Sequence, residues 1–226
     1  MPEAVHLIAD NNQAHYYPSG LSNLHNFKSL GTMPYAMSQY CYSPLSQMPD
    51  SIRLLRLIPN ENNTANIRCE LFEYALRESD KATHPYEALS YVWGDEDKRQ
   101  SLIIDNQYLG VTRNLHAALL RLRDRDIARV IWVDAVCINQ ADEKEKEHQI
   151  QSMAKIYGKA SRVIIWLGET ADDSDGALEA IRTARKKFTN FLKEEMIPKA
   201  ILLLLQRPWF RRIWVRQTFD NIHKNY

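Results

Sequence analysis

Three apolar segments, each ending in polar residues, constrain the fold of this chain more than any other feature. They span Tyr86–Trp93, Arg129–Gln140 and Arg162–Glu169, and segments with helical periodicity follow them. Strands buried on both faces are typically continuous apolar runs, and alternating strands and helices wind into parallel sheets. The pattern predicts an α/β fold with a parallel sheet flanked by helices.

Two connecting segments have the periodicity and the caps of helices. Thr112 can cap the first, and Asp142 with Glu145 forms a capping-box pattern at the start of the second. Apolar spacing predicts which residues face the core. These are Leu115, Ala118, Leu119 and Leu122 in the first helix, and Ile150, Met153 and Tyr157 in the second. Further helices are predicted over Asp172–Lys193 and Ile197–Gln206.

The residues before Tyr86 divide into two parts. Residues 1–49 are rich in polar residues, Tyr, Met and Pro without periodicity, which predicts a disordered leader. Residues 50–85 contain two predicted strands, Ile52–Ile58 and Ile67–Leu76, and form an N-terminal β extension. Residues 86–226 then constitute the main domain. Within it, Ser101–Thr112 is predicted to be a hairpin that turns near Asp105-Asn106.

Charge and cysteine content exclude several functional classes. The net charge of the 226-residue chain is +1, so no bulk field would attract nucleic acid. The longest apolar run, Ala200–Leu205, cannot span a bilayer. The three cysteines are scattered without a CxxC pair, which argues against a metal site and a disulfide framework. A reducing, cytoplasmic location is expected.

The ends of the three buried strands supply the candidate site, because ligands of parallel α/β sheets bind beyond the carboxyl ends of the strands. Either these groups converge on a ligand, with Asp95 and Asp134 as candidate carboxylates, or the two aspartates only cap turns and helices. Cys137, without a His partner in sequence, is expected to be a small buried residue. The polar, aromatic and glycine residues at the strand ends are Trp93, Gly94, Asp95, Asp134, Asn139, Gln140, Gly168 and Glu169.

The segment Arg207–Phe219 concentrates aromatic and basic residues near the end of the chain. Pro208 is suited to begin a helix. In one interpretation the aromatic side chains belong to the core and the arginines to the surface. In the other, a helix places Arg211, Trp214 and Thr218 on one stripe, and the segment forms a ligand wall in which a ring stacks on an aromatic side chain and a phosphate meets Arg.

Four motifs in order resemble the fungal heterokaryon incompatibility (HET) domain. They are "YEALSYVWGD", "VTRNLHAALLRLR", "IWVDAVCINQADEKEKEHQIQSMAKIYGKASRVIIWLGE" and "RPWFRRIWVRQ", and they cover roughly residues 86–217. The resemblance implies a fungal protein of self/non-self recognition whose domain is linked to programmed cell death. It also implies a fold like that of the Toll/interleukin-receptor (TIR) domain, which is a flavodoxin-like α/β sandwich.

Several TIR domains hydrolyse NAD with a Glu four positions after a Trp, so the resemblance implies a Trp-x-x-x-Glu motif in this chain. Trp214 and Gln217 match the pattern, but Thr218 stands at the position of the Glu. Thr carries no charge that could stabilise an oxocarbenium-like transition state. Any catalysis would then need another carboxylate, such as Asp95 or Asp134. The motif pattern stops after Thr218, so the domain is expected to be incomplete at its C-terminus.

Three functions follow as hypotheses. The first is an incompatibility module that signals by self-association, or by association with another incompatibility protein, without catalysis. The second is a TIR-like NAD glycohydrolase that uses another carboxylate. The third is a regulator that binds a nucleotide without turnover. No cofactor is expected, although NAD is a possible substrate or ligand. A ligand would be expected to contact Trp93, Gly94, Asn139, Gln140, Arg211, Trp214 and Gln217.

Overall fold

Eight strands are present in the residues that the computed structural model describes: 5–8, 37–46, 50–76, 84–94, 99–169, 171, 174, 176–179, 181 and 199–211. In chain order the strands are β1 (Val5–Ile8), β2 (Ser51–Leu57), β3 (Arg68–Ala75), β4 (His84–Ser90), β5 (Arg99–Ile104), β6 (Gln107–Thr112), β7 (Arg129–Trp132) and β8 (Ala160–Trp166).

The strands form one mixed sheet in the order β1-β8-β4-β7-β2-β3-β5-β6. The four strands β1, β8, β4 and β7 pair in parallel. Strand β2 joins β7 in the antiparallel sense, and β3 and β5 continue the sheet as far as β6. The predicted α/β class is confirmed, and the predicted N-terminal strands extend the same sheet.

Helices accompany the strands in the described residues. The α-helices are α1 (Arg113–Leu122), α2 (Asp134–Cys137), α3 (Glu143–Lys159) and α4 (Lys199–Leu205), and the 3-10 helix spans Pro208–Arg211. Residues 174, 176–179 and 181 are also helical. The segment predicted as a strand over Arg129–Gln140 therefore changes its conformation after Trp132, where α2 replaces the extended chain.

The helices cover both faces of the parallel strands. On one face, the indole of Trp166 in β8 reaches Asn114 in α1. On the other face, the hydroxyl of Tyr86 in β4 donates to the carbonyl of Ile156 in α3 over 2.6 Å. The strands between these layers are buried on both sides, as predicted. Trp132, for example, is 0% exposed.

The predictions for the hairpin and for α1 are confirmed. Asp105 and Asn106 join β5 to β6 with φ values of 50° and 62°, the left-handed conformation that a two-residue type I′ turn requires. Thr112 caps α1 by accepting a hydrogen bond from the N–H of Leu115. The buried residues of α1 are the predicted Leu115, Ala118, Leu119 and Leu122.

The predicted inner face of α3 is wrong at Ile150, which is 52% exposed. Gln149 is buried instead and donates from Nε2 to the carbonyl of Ser51 over 2.9 Å. Asp142 caps the helix as predicted. The Glu145 carboxylate does not complete a capping box, because it accepts from the N–H of Asn139 and from Arg53.

Two stretches of the predicted leader are described, and both make contacts that the sequence did not indicate. Val5–Ile8 is strand β1, paired in parallel with β8. Residues 37–46 meet the opposite edge of the sheet, where the N–H of Tyr40 donates to the carbonyl of Tyr108 over 2.8 Å. In the same stretch, the Tyr42 hydroxyl donates to the carbonyl of Val136 over 2.9 Å.

A carboxylate between two arginines links three neighbouring strands. Glu87 in β4 is 8% exposed. It forms ion pairs with Arg129 in β7, at 2.7 Å, and with Arg162 in β8. Arg129 also donates to the carbonyl of Leu122 at the end of α1. The cluster therefore ties the centre of the parallel sheet to the helix that covers it.

Candidate functional site at the carboxyl edge

The order of the parallel strands produces a topological switch point. The chain moves from β4 to β7 on one side and then returns past β4 to β8 on the other side. Connections that leave adjacent strands in opposite directions open a crevice at their carboxyl ends, and ligands of open α/β sheets bind there. The crevice is expected between Ser90, at the end of β4, and Trp166, at the end of β8.

Trp93 and Asp134 meet at this edge of the sheet. Nε1 of Trp93 donates to Oδ2 of Asp134 across 3.2 Å. Both side chains are half-buried. The other carboxylate oxygen of Asp134 accepts from the N–H of Ala135 over 2.8 Å, at the first turn of α2. The structure thus brings together two of the predicted site residues, one from each of two strand ends.

Asn114 in α1 joins the ends of β4 and β8. Its Nδ2 donates to the carbonyl of Val92 across 2.5 Å. Its Oδ1 accepts from Nε1 of Trp166 across 2.8 Å. Asn114 therefore spans the switch point, although the sequence analysis did not select it.

Two glycines shape the loops that leave β4 and β8. Gly94 has a φ of +77° and Gly168 a φ of +101°, a region that side-chain-bearing residues rarely occupy. A Cβ on Gly94 would also lie 3.4 Å from Cβ of Asn114. The left-handed conformation explains why glycine follows Trp93 and Leu167.

The beginning of the predicted aromatic and basic segment packs beside the same edge. Arg207 donates to the carbonyls of Leu167 and Ala171, each over 3.0 Å. Trp209 is 3% exposed and donates from Nε1 to the hydroxyl of Ser90 over 2.9 Å. Here the interpretation of the aromatic residue as core is confirmed, and the 3-10 helix begins at Pro208 as the sequence suggested.

Asn139 and Gln140 lie after α2 and serve local structure. Nε2 of Gln140 donates to the carbonyl of Asp134 over 2.9 Å. Oδ1 of Asn139 accepts from the N–H of Ala141, and its own N–H donates to Glu145. These contacts hold the loop between α2 and α3 against the strand ends.

A buried ion pair between β2 and α3 holds the loop that contains Asn139 in place. Arg53 in β2 and Glu145 in α3 approach to 2.5 Å, and their side chains are 6% and 10% exposed. Arg53 also donates to the carbonyl of Ser43 over 2.7 Å, and its guanidinium lies 5.2 Å from the ring centre of Tyr42. The residues 37–46 are thereby fastened to the elements that carry Asp134 and Asn139.

Cys137 is buried, as predicted, and is not suited to act as a nucleophile. Burial raises the pKa of its thiol to about 12. The Sγ atom lies 3.4 Å from the N–H of Val133 within the core. A thiol in this environment stays protonated and behaves as a small apolar side chain.

Several predicted site residues lie outside the described residues. These are Asp95, Trp214, Gln217 and Thr218, and Arg211 is described only by its backbone at the end of the 3-10 helix. Asp134 is thus the candidate carboxylate with a described environment. Across the described ranges, no group of three His, Cys, Asp or Glu side chains is arranged to hold a metal ion.

The sequence did not identify the roles of Asn114 and Arg207, for a different reason in each case. Asn114 follows the Thr112 cap by two positions, where a polar residue is unremarkable in the first turn of a helix. Its partners are 22 and 52 residues away in sequence. Arg207 stands in the selected segment, but its partner carbonyls belong to the loop after β8.

Comparisons with known proteins found a matching protein family and a curated relative. The chain is 28% identical over 224 residues to "Heterokaryon incompatibility protein 6, OR allele" of Neurospora crassa. The match covers 77% of this chain and 32% of the relative, so the chain spans about a third of that protein. No solved structure matches the chain. None of the described helices has the length and apolar character needed to cross a membrane.

The sequence model of the family described as Heterokaryon incompatibility protein (HET) matches residues 86–218. These residues begin in β4 and include β7, β8 and the switch point with Trp93, Asn114 and Asp134. The match takes in more than half of the chain. The protein therefore belongs to the heterokaryon incompatibility (HET) family.

Proposed function

We propose that this chain is a module of fungal heterokaryon incompatibility that acts in the cytoplasm and signals by association with copies of itself or with another incompatibility protein. The proposal includes a link to programmed cell death, which the family resemblance implies. The HET match over residues 86–218 supports it, as does the likeness to a Neurospora crassa protein named for heterokaryon incompatibility.

One observation favours association over catalysis. Asp134, the described candidate carboxylate, accepts hydrogen bonds from Nε1 of Trp93 and from the N–H of Ala135. These two hydrogen bonds hold the carboxylate in place at the strand ends, so the fold itself gives Asp134 a structural role that needs no catalysis. The neighbouring carbonyls of Val92 and Leu167 likewise accept from Asn114 and Arg207. These hydrogen bonds make the carboxyl edge of the sheet a rigid surface, which suits the binding of a partner.

A second function, a TIR-like NAD glycohydrolase, is favoured by the topology. The switch point between β4 and β8 is the place where open α/β sheets bind nucleotides. Trp93 offers an aromatic surface there, and Asp134 offers a carboxylate. In such a reaction the bond between nicotinamide and ribose breaks, water adds to the ribose carbon, and a carboxylate stabilises the positive charge of the transition state.

Nicotinamide release by the purified chain distinguishes the two functions. The first function predicts no release above that of the buffer. The second predicts release that falls at least a hundredfold in Asp134→Asn, because the neutral amide can accept from Trp93 but cannot stabilise the cation. Asp142→Asn, at the exposed cap of α3, is the matched control and should leave any release unchanged. Release that depends on Asp134 would replace the first function with the second.

Vital-dye uptake in fungal cells tests the incompatibility role separately. Expression of the chain in one partner of a fusion between incompatible strains should raise dye uptake in the fused cells. Asp134→Asn should raise it equally if association, not catalysis, is the signal. Unchanged viability of fused cells that contain the soluble, folded chain would contradict the link to cell death.

A further inference from the structure

Strand β1, from the beginning of the chain, is the terminal strand at one edge of the sheet. Strand β1 pairs in parallel with β8, in the register Val5↔Val163 through Ile8↔Trp166. It contains four residues, and β8 is the strand with which it pairs in the described sheet. The terminal strand of this parallel group thus comes from the beginning of the chain, more than 150 positions before its neighbour.

At the opposite edge of the sheet, residues 37–46 lie beside β6. Residues 38 and 40 exchange backbone hydrogen bonds with Tyr108 in β6, at 2.9 and 2.8 Å. A few residues later, Tyr42 and Ser43 contact Val136 and Arg53. In the described part of the chain, the first 46 residues thus contribute a segment at each edge of the sheet.

The chain between these two segments is long enough to reach a neighbouring molecule. Residues 9–36 separate Ile8 from Met37, which is 28 positions. An extended chain of that length spans at most roughly 90 Å. A compact chain of 226 residues has a radius of gyration of only roughly 17 Å. Geometry therefore permits Val5–Ile8 to pair with β8 of the same chain or of another.

Strand β8 is well suited to accept a strand from another chain. Its sequence, "ASRVIIW", contains three consecutive β-branched residues and no Pro. An edge of this kind exposes unpaired N–H and C=O groups when its cover leaves, and these groups recruit another strand. A second copy offers the same Val5–Ile8 strand in the same register, so exchange replaces each lost hydrogen bond with an identical one.

We propose that β1 is exchanged between copies of this chain, so that Val5–Ile8 of one copy completes the sheet of another at Val163–Trp166. The inference rests on the proposed function, because it assigns a contact to the association. A tethered strand has an effective concentration in the millimolar range for its own sheet. Exchange therefore increases when copies are crowded together, as they would be at a site of recognition.

Disulfide trapping between two variants tests the exchange. The test uses a Cys41→Ser background, because Cys41 is exposed whereas Cys69 and Cys137 are buried. One sample carries Val5→Cys and the other Val163→Cys, two positions that pair in register. Neighbouring strands lie about 4.8 Å apart, within the Cα range of a disulfide. The two chains are mixed at about 100 μM, within the micromolar to millimolar range in which chains associate, in a glutathione redox buffer. They should form a covalent dimer.

The control mixture combines Leu7→Cys with Val163→Cys. Leu7 pairs with Ile165, so these positions are two residues out of register and roughly 8 Å apart, too far for a disulfide. The in-register mixture should give at least ten times as much dimer. Equal yields from the two mixtures would mean random collision and would overturn the exchange.

The double variant Val5→Cys with Val163→Cys tests the pairing within one chain. At high dilution it should form a disulfide inside the chain. If this bond forms but the in-register mixture yields no dimer, β1 pairs only with its own chain and the proposal is overturned. If the bond does not form, the register is wrong and the proposal is overturned as well. Sedimentation of the unmodified chain measures self-association independently of the disulfide. If the chain self-associates but no disulfide dimer forms, the strand exchange is overturned while the proposed self-association stands through a different contact.

Discussion

Nε1 of Trp166 donates a hydrogen bond to Oδ1 of Asn114 across 2.8 Å, and this contact ties the end of β8 to the first turn of α1. Trp166 is 2% exposed, so its N–H has little access to water. The same amide of Asn114 donates to the carbonyl of Val92 beyond the end of β4. The Asn114 side chain therefore connects both sides of the switch point, and its removal should destabilise the fold.

Asn114→Ala should lower the free energy of unfolding by about 1–3 kcal/mol, because it leaves the buried indole N–H of Trp166 without an acceptor. Arg113→Ala is the matched control. Arg113 and its partner Glu169 are 64% and 59% exposed and 4.0 Å apart. The control should change stability by less than about 0.5 kcal/mol. Urea denaturation followed by tryptophan fluorescence measures both, and equal midpoints would contradict the role of Asn114.

Glu87→Ala should lower the free energy of unfolding by about 1–3 kcal/mol, because it leaves Arg129 and Arg162, whose side chains are 24% and 39% exposed, without their shared buried carboxylate. Glu70→Ala provides the comparison. Glu70 pairs with Arg56 on the surface at 2.6 Å, where both side chains are about half exposed. Its removal should cost about 0–1 kcal/mol. Chemical denaturation of the two variants would reveal a structural role for Glu87 only if the difference between them is clear.

The elements that local chemistry determines could be predicted from the sequence. The left-handed turn at Asp105 and Asn106 follows from the residues that tolerate positive φ between alternating strands. The buried stripe of α1 follows from its period of 3.6 residues and the Thr112 cap. The parallel arrangement of β4, β7 and β8 follows from the repetition of apolar strand and helix.

The features that the sequence could not provide depend on distant partners. Ile150 was expected inside α3, but Gln149 is buried because the carbonyl of Ser51 offers it a hydrogen bond. Asn114 acts across the strand ends through partners 22 and 52 residues away. Strand β1 has only four residues, too few for a recognisable period. In each case the deciding interaction is tertiary, and neither propensity nor hydrophobic pattern encodes it.

Thiol titration at pH 8 should detect one rapidly reacting cysteine in the native chain and three after denaturation. Cys41 is exposed, whereas Cys69 and Cys137 are buried. Burial raises the pKa of each buried thiol to about 12. The reactive thiolate is then only roughly one part in ten thousand at pH 8. The Cys41→Ser variant should show no rapid reaction with Ellman's reagent. A second rapid thiol in the native chain would mean that the core around Cys69 or Cys137 opens to solvent.

Replacement of Trp132 tests the centre of the core. Trp132 is fully buried, and its ring meets that of Tyr157 edge to face with 5.4 Å between centroids. Trp132→Ala should lower the free energy of unfolding by about 3–5 kcal/mol through the cavity it leaves.

Trp132→Phe should cost much less than Trp132→Ala, on the order of 1–2 kcal/mol. Among the described residues Nε1 of Trp132 meets no acceptor, so phenylalanine removes a buried N–H that gains nothing from its position while keeping an aromatic ring against Tyr157. Urea midpoints with circular dichroism as the probe compare the two variants without relying on the fluorescence of the residue replaced. A Phe variant as unstable as the Ala variant would show that the indole N–H has an acceptor in the folded protein, and an Ala variant as stable as the native chain would show that β7 does not lie in the core.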